Sequence, residues 1–142
     1  MKHQRAYKYR FSPTEKQKHS LARTFGCCRF VYNWALRERT DAYYQRSERL
    51  YYKDLAQRLT ALKQQEHYAW LNDVASVPLQ QSLRHLDKGM VNFFEGRAKH
   101  PTFKKKGNHQ SATYVGTAFT LKDTSLTPAR MSIPIFLIAL KK

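Results

Sequence analysis

Hydrophobic and polar positions alternate at the very start of the chain. In residues 3–11, Tyr7, Tyr9 and Phe11 fall on one face and basic residues fall on the other. A period of two is typical of a β-strand with one buried face. This stretch therefore predicts a half-buried strand with a basic outer surface.

The next residues carry a helix-start signal. Ser12 is a suitable N-cap, Pro13 fits a first helical position, and Glu15 completes a capping box. Gly26 is a natural helix end. The signals predict a first helix that stops at Gly26.

Three further apolar stripes recur with the helical period. They predict a second helix over about residues 27–46, a third over about 52–65, and a fourth that begins near Ser76. Four amphipathic helices joined by short links predict a helical bundle.

Helical periodicity ends at Gly96. The stretch Ser111–Leu121 is rich in Thr, Tyr, Val and Phe, which favours a strand. The last apolar run is a second strand candidate, weakened by Pro134. The predicted fold class is therefore α+β, with a bundle of about four helices inserted between β elements at both ends.

The charge of the chain points to a polyanionic partner. Lysine and arginine number 26 against 10 acidic residues, which gives a formal net charge of +16. With 13% aromatic residues, nucleic acid is favoured over a membrane surface. The run Ile133–Leu140 is too short to span a bilayer. We expect a cytoplasmic protein associated with the nucleoid.

Basic residues concentrate after the fourth helix. Six basic side chains, His100 included, lie in residues 97–106, and no acidic residue occurs from Gly96 to Lys122. Lysine is a mobile point charge that suits phosphates without sequence preference. The candidate phosphate contacts there are Lys104, Lys105 and Lys106, and on the second helix Arg29, Arg37 and Arg39 are expected to face phosphates.

Three polar positions could reach bases. Gln80 borders an apolar stripe, Ser76 lies at a helix N-terminus, and Tyr52 opens the third helix. The alternative for each is a cap or an ordinary surface residue, and the sequence leaves both open. Asn33 is expected to hydrogen-bond a neighbouring loop.

No catalytic set is evident. The acidic residues are scattered, and there is no paired-histidine motif or glycine-rich phosphate loop. Cys27 and Cys28 are adjacent and are expected to be buried rather than metal-bound. We predict no catalytic residue, no metal site and no cofactor.

The motifs "YKYRFSPTEKQ", "GCCRFVYNWAL", "YYKDL" and "VPLQQSLRHLDKGMVNFFEGRAKHPTFKKKG" together resemble the start of the OrfB/TnpB transposon-encoded proteins, which are compact RNA-guided nucleases. The resemblance implies that residues 1–11 form the first strand of a wedge-type β-barrel. It implies a helical recognition lobe over 12–98, and a basic linker with the remaining wedge strands over 99–142.

The resemblance also implies roles for single residues. Tyr52, Gln80 and Thr117 are expected nearest a short motif in duplex DNA, with Ser76 beside them. The resemblance implies contacts to the nucleic-acid backbone from Lys104, Lys105 and Lys106. As further basic residues, Arg29, Arg97 and Lys99 are expected to contact the backbone too. The implied partners are double-stranded DNA and guide RNA from the same element.

On the same basis we expect the chain to stop before the family's nuclease domain, with its Asp/Glu/Asp metal site. The expected function is a nucleic-acid-binding fragment of a transposase-like protein, not an enzyme. Three alternatives remain open: a binder of RNA alone, the non-catalytic half of a split nuclease, and a truncated relic without function.

Overall fold

The computed structural model describes residues 2, 10–115, 119–122, 125–128 and 135–138. Its longest element is helix α1, Glu15–Arg46. The Thr14 hydroxyl accepts from the Gln17 backbone N–H at 3.3 Å, and the Gln17 side chain accepts from the Thr14 N–H at 2.8 Å. This reciprocal capping box satisfies backbone donors that the first turn leaves unpaired. The helix ends at Arg46, and Ser47 caps it in the left-handed conformation with φ 51°.

Two predictions for this region are wrong. The cap is Thr14 rather than Ser12, and Gly26 lies inside one uninterrupted helix of 32 residues instead of ending a shorter one. A glycine inside a helix costs about 1 kcal/mol relative to alanine. That cost is offset because the residues that follow it, including Cys28 and Val31, are buried in the core.

The later helices begin where the sequence predicts. Helix α2 spans Tyr52–Gln64, and helix α3 spans Ser76–Phe94. At the start of α2, the Asp54 carboxylate accepts from the Tyr51 backbone N–H at 3.0 Å. A 3₁₀ helix that the sequence did not indicate, Glu66–Asp73, connects α2 to α3.

The core lies between α1 and α3, and α2 packs against α3 and against the 3₁₀ helix. Two ion pairs connect α1 to the other helices. Arg39 of α1 binds Asp87 of α3 at 2.8 Å, and Arg58 of α2 binds Glu38 of α1 at 3.0 Å. The largest fully buried side chains are Val31, Leu55, Leu71, Pro78, Leu79, Leu83 and Leu86. Full burial of one such leucine contributes about 1.5–3 kcal/mol.

The predicted α+β fold class, with a bundle inserted into a β-barrel, is wrong. From residue 12 to residue 115 the described chain contains helices, turns and irregular segments and no strand. Outside that range the strands are β1 (Arg10–Phe11), β2 (Phe119–Lys122), β3 (Ser125–Pro128) and β4 (Ile135–Ile138).

These strands do not close on themselves. They pair antiparallel in the order β1–β4–β3–β2, with Arg10 opposite Ile138, Thr120 opposite Thr127, and Leu126 opposite Ile135. A barrel needs its two outermost strands to pair, and the described β1 and β2 do not. Of the predicted strand Ser111–Leu121, residues 111–115 have no regular structure and 116–118 lie outside the described residues.

Within the described ranges, no helix combines the length and the apolar character that crossing a membrane requires.

Candidate nucleic-acid interface

One face of α3 presents a row of polar and basic side chains. Ser76, Gln80, Arg84 and Lys88 are exposed and are spaced by four residues. Side chains four apart lie above one another on one side of a helix. This row, the α3 strip, extends over about 18 Å at a rise of 1.5 Å per residue. Such a length is comparable to several base steps of a duplex.

Tyr52 lies beside this strip. It is the first residue of α2 and is half-buried against the core. The guanidinium carbon of Arg84 lies 4.1 Å from the centroid of the Tyr52 ring. This cation–π contact fixes the tyrosine next to the middle of the α3 strip.

A second basic element follows α3. Residues 98–115, the strap, turn back after Phe94 and run along the bundle. His100 meets Phe93 edge to face, with ring centroids 5.0 Å apart. Pro101 lies over Gly89, where a Cβ would come within 3.4 Å of the proline ring. The absence of a side chain at Gly89 lets the strap approach α3 closely.

Two hydrogen bonds hold the lysine run against α1. The Asn33 amide donates to the Lys104 carbonyl at 2.9 Å, and the Asn33 carbonyl accepts from the Lys104 N–H at 2.8 Å. The ammonium of Lys104 lies 4.4 Å from the centroid of the Tyr32 ring. The prediction that Asn33 hydrogen-bonds a loop is confirmed, and the strap is that loop.

The side chain of Gln110 lies inside the turn formed by residues 105–108, the lysine turn, and holds it closed. Its amide nitrogen donates to the carbonyls of Lys105, Lys106 and Asn108 at 3.3, 2.9 and 3.0 Å. Its carbonyl accepts from Arg29 of α1 at 3.4 Å. Since the carbonyls are turned inward, the side chains of Lys105 and Lys106 extend into solvent.

His85 lies between the strap and the α3 strip, and its pKa is sensitive to the charges there. Partial burial lowers its pKa, and the nearby charges of Lys104 and Lys88 lower it further. The part of the shift that comes from the two lysines is the effect expected of a positive potential along this face.

The comparisons with known proteins agree with the residue patterns. Residues 1–48 match the "Helix-turn-helix domain" family of OrfB type. The chain is 47% identical to a putative RNA-guided DNA endonuclease of Streptomyces pristinaespiralis, over 92% of this chain and 33% of the relative. It is 36% identical to the putative RNA-guided DNA endonuclease InsQ of Escherichia coli K12, over 80% of this chain and 28% of the relative.

A third relative is similar in length to the matched region. The virulence protein VsdF of Salmonella dublin is 34% identical over 72% of this chain and 93% of that protein. The chain belongs to the OrfB/TnpB family. It spans about a third of the length of the two endonuclease relatives. The described part of the region that matches the OrfB family model folds mainly as α1, and α2 and α3 complete the bundle.

The structure brings together most residues that the OrfB/TnpB resemblance placed nearest to DNA. Ser76 and Gln80 lie on the α3 strip, and Tyr52 borders it through Arg84. Thr117 lies outside the described residues. The sequence reasoning missed Arg84 and Lys88, although their spacing of four and eight residues from Gln80 was a usable signal.

The predicted backbone contacts fall into two groups. Lys99, Lys105 and Lys106 are exposed, and none has an ion-pair partner within the described ranges. By contrast, Lys104 lies over Tyr32, and Arg29 is half-buried and holds the strap.

Two other arginines bind neighbours within the protein. Arg97 pairs with Glu95 and donates to the side-chain amide oxygen of Asn92 at 3.0 Å. Arg39, expected to face phosphates, is buried and bound to Asp87, so that expectation is wrong. Arg37 does remain exposed, 3.7 Å from a carboxylate one turn away.

The cysteines are positioned as core residues. Burial raises the pKa of Cys27 to about 11 and also raises the pKa of Cys28, so both are protonated thiols at neutral pH. Among the residues that the structure describes, no three His, Cys, Asp or Glu side chains converge as metal ligands would.

Proposed function

We propose that this chain binds nucleic acid with the face formed by the α3 strip, Tyr52 and the lysine turn of the strap. Its role in an OrfB/TnpB-type protein is to hold double-stranded DNA next to a target site, guide RNA, or both. The observation that carries the proposal is the exposed α3 strip, in which Gln80 and Arg84 lie side by side next to Tyr52.

The strip has the chemistry for contacts to base edges. A glutamine can bind adenine with two hydrogen bonds, and an arginine can bind guanine in the same way. Gln80 is exposed and forms no hydrogen bond to another described residue. The length of the helix face suits insertion into the major groove, which admits an α-helix.

The strap supplies charge rather than sequence preference. Lys105 and Lys106 project from a turn whose backbone is held by Gln110 and Asn33. Because the turn fixes the backbone of both lysines, less conformational freedom is lost when their side chains meet phosphates. Each phosphate neutralised on B-DNA changes the slope of log affinity against log salt by about 0.9.

The division of the chain into a recognition lobe over 12–98 and flanking segments stays a prediction and belongs to this proposal. So does the absence of a nuclease centre. We expect the purified chain to bind DNA in Mg²⁺ without cutting it, and cleavage that depends on Mg²⁺ would contradict this point.

The test is binding of the purified chain to a randomised DNA duplex library and to RNA transcribed from its flanking sequence, at two salt concentrations. Enrichment of a short duplex motif that Gln80→Ala abolishes is the expected result. Gln64→Ala, an exposed glutamine at the far end of α2, is the matched control and is expected to leave the motif intact.

The lysine turn has its own readout. Lys105→Ala and Lys106→Ala are expected to weaken binding to all duplexes equally and to reduce the salt slope by about 0.9 each. Lys16→Ala, an exposed lysine in the first turn of α1, serves as the charge-matched control. Binding to RNA without enrichment of any duplex motif would mean that the chain binds RNA alone. Absence of binding to both the duplex library and the RNA would refute the proposal.

A further inference from the structure

A cleft of about 360 Å³ opens where the C-terminal ends of α1 and α3 meet the start of α2. Neither the α3 strip nor the lysine turn contributes to its lining. Six rings surround it: Tyr43, Tyr44, Tyr51, Phe93, Phe94 and His100. Its volume is in the range of sites that hold small molecules.

The rings of this aromatic cleft are unusually open to solvent. Tyr44 is 80% exposed and Phe94 is 65% exposed. They form ring pairs with Tyr43 and Phe93, at centroid distances of 5.4 and 5.3 Å. Pairs of exposed rings around one cleft mark a binding site more often than a single exposed ring does.

The floor of the cleft is charged. Arg39 is only 9% exposed and uses one guanidinium nitrogen to bind the Asp87 carboxylate at 2.8 Å. Its other nitrogens have no hydrogen-bond partner among the described residues, yet none of them is shut off from solvent. A ligand in the cleft, which Arg39 lines, could reach these donors. Asp87 is one-third exposed and places an acceptor beside them.

The mouth of the cleft is basic. Arg49 lines it and is exposed, without an acidic partner among the described residues. The charge of Glu48, the acidic residue nearest to it in sequence, is balanced by Arg46 at 3.0 Å. The anionic group of a ligand whose ring enters the cleft would therefore meet the guanidinium of Arg49.

We propose that the aromatic cleft binds an unpaired nucleobase. The base stacks on an exposed ring, its polar edge faces the donors of Arg39 and the acceptor of Asp87, and its phosphate meets Arg49. Unpaired bases are recognised by this combination of stacking and edge hydrogen bonds. A hydrophobic protein segment would fill the ring walls but would leave the Arg39 donors unpaired.

The inference rests on the proposal that the chain binds nucleic acid, but it uses a different surface and a different feature of the ligand. Single-stranded RNA and single-stranded DNA share the chemistry. The experiment therefore compares both with two ligands that present phosphates without an accessible base: an abasic strand and a blunt duplex.

The full chain is titrated with short fluorescently labelled strands of each kind, and binding is followed by anisotropy. Tyr44→Ala and Phe94→Ala are expected to weaken binding to base-containing single strands about 10-fold, the effect of one lost stacking contact. Binding to the abasic strand and to the duplex is expected to stay unchanged. Both rings are exposed, so the variants are expected to melt within a degree or two of the wild type.

Two controls sharpen the result. Phe103→Ala removes an exposed phenylalanine of the strap that does not line the cleft, and is expected to have no effect specific to bases. Tyr44→Leu keeps an apolar side chain but removes the flat ring, so it is expected to behave like Tyr44→Ala, whereas Tyr44→Trp retains binding.

The outcomes separate the two proposals. Equal losses on the abasic strand, full binding by Tyr44→Leu, or no loss in any variant would overturn the base-binding cleft. A changed oligomeric state without a changed affinity would assign the surface to a second copy of the chain and would also overturn it. Loss of the duplex motif in Gln80→Ala, with single-strand binding retained, would support the proposal that the two surfaces act separately.

Discussion

Replacing Gly26 with alanine tests whether α1 is one continuous helix. The glycine lies in the middle of a 32-residue helix, and its φ angle is outside the left-handed region. A Cβ added there would meet only the guanidinium of Arg29, at 4.0 Å, which is an ordinary contact. Nothing in the surroundings therefore opposes the methyl group.

The magnitude follows from helix propensity. Alanine is favoured over glycine inside a helix by about 1 kcal/mol, largely because the unfolded chain loses conformational freedom. We expect Gly26→Ala to raise the free energy of unfolding by about 0.5–1 kcal/mol. For a chain of this size, that corresponds to an increase in melting temperature of about 2–4 °C.

The assay is thermal and urea unfolding followed by circular dichroism. Gly96→Ala is the matched control, because Gly96 has a φ of 74° and closes the end of α3. A side chain is strained there, and we expect a loss of about 1 kcal/mol. Destabilisation by Gly26→Ala would refute the reasoning, since it would mean that the helix ends at Gly26 with a left-handed residue.

Three further predictions concern contacts between elements. Asn33→Ala removes two hydrogen bonds to the Lys104 backbone, each of which contributes about 0.5–1.5 kcal/mol. Hydrogen exchange at the Lys104 amide is therefore expected to accelerate about 10-fold, and an unchanged rate would contradict this. The pKa of His85 is lowered in the folded protein, so the unfolded chain takes up the proton first as the pH drops. The free energy of unfolding is therefore expected to fall between about pH 6.5 and the folded-state pKa. An NMR titration midpoint of His85 at or above about 6.5 would contradict this prediction. Arg39→Ala leaves the Asp87 carboxylate without its partner and is expected to lower the free energy of unfolding by about 2–4 kcal/mol, less than the loss of a fully buried pair. The double variant with Asp87→Ala is expected to recover part of this loss. Urea unfolding that shows a loss below about 0.5 kcal/mol, typical of an exposed pair, would show that the ion pair is unimportant.

The helix starts at Tyr52 and Ser76 could be predicted because their signals are local. Apolar residues at helical spacing follow each start, and these positions are the buried ones in the structure. Gly26 could not be placed correctly for the opposite reason. Its intrinsic preference favours a helix end, and the burial that overrides it comes from α3, far away in the sequence.

The strap was mistaken in part for a strand. Its Thr, Tyr and Val residues have strand propensity, but propensity of this kind mainly reflects a half-buried surface. In the structure Ala112 and Tyr114 are half-buried because they pack against the helices, not because they belong to a sheet. Ala112 packs on the helical core, and Tyr114 lies next to Thr24 and Cys28 of α1, where burial raises the pKa of its hydroxyl.

For the candidate interface, the sequence predicts which residues share a helix face but not which of them are buried. Gln80 and Ser76 share a face because of their spacing, which the sequence contains. The difference between Arg39, which is buried, and Lys105, which is exposed, depends on partners many residues away. Asp87, which binds Arg39, is 48 residues distant in the chain.

The docking of the strap also orders events during synthesis. Asn33 and Lys104 are 71 residues apart in sequence. At about 5–20 residues per second, a ribosome needs roughly 4–14 s to add those residues. Throughout that interval the strap-facing side of α1, with Tyr32, is not covered by the strap, although α3 can already pack on the same helix. A thiol-reactive probe that still modifies Cys28 in chains stalled after α3 has emerged, and stops doing so once the strap has emerged, would time the docking of the strap.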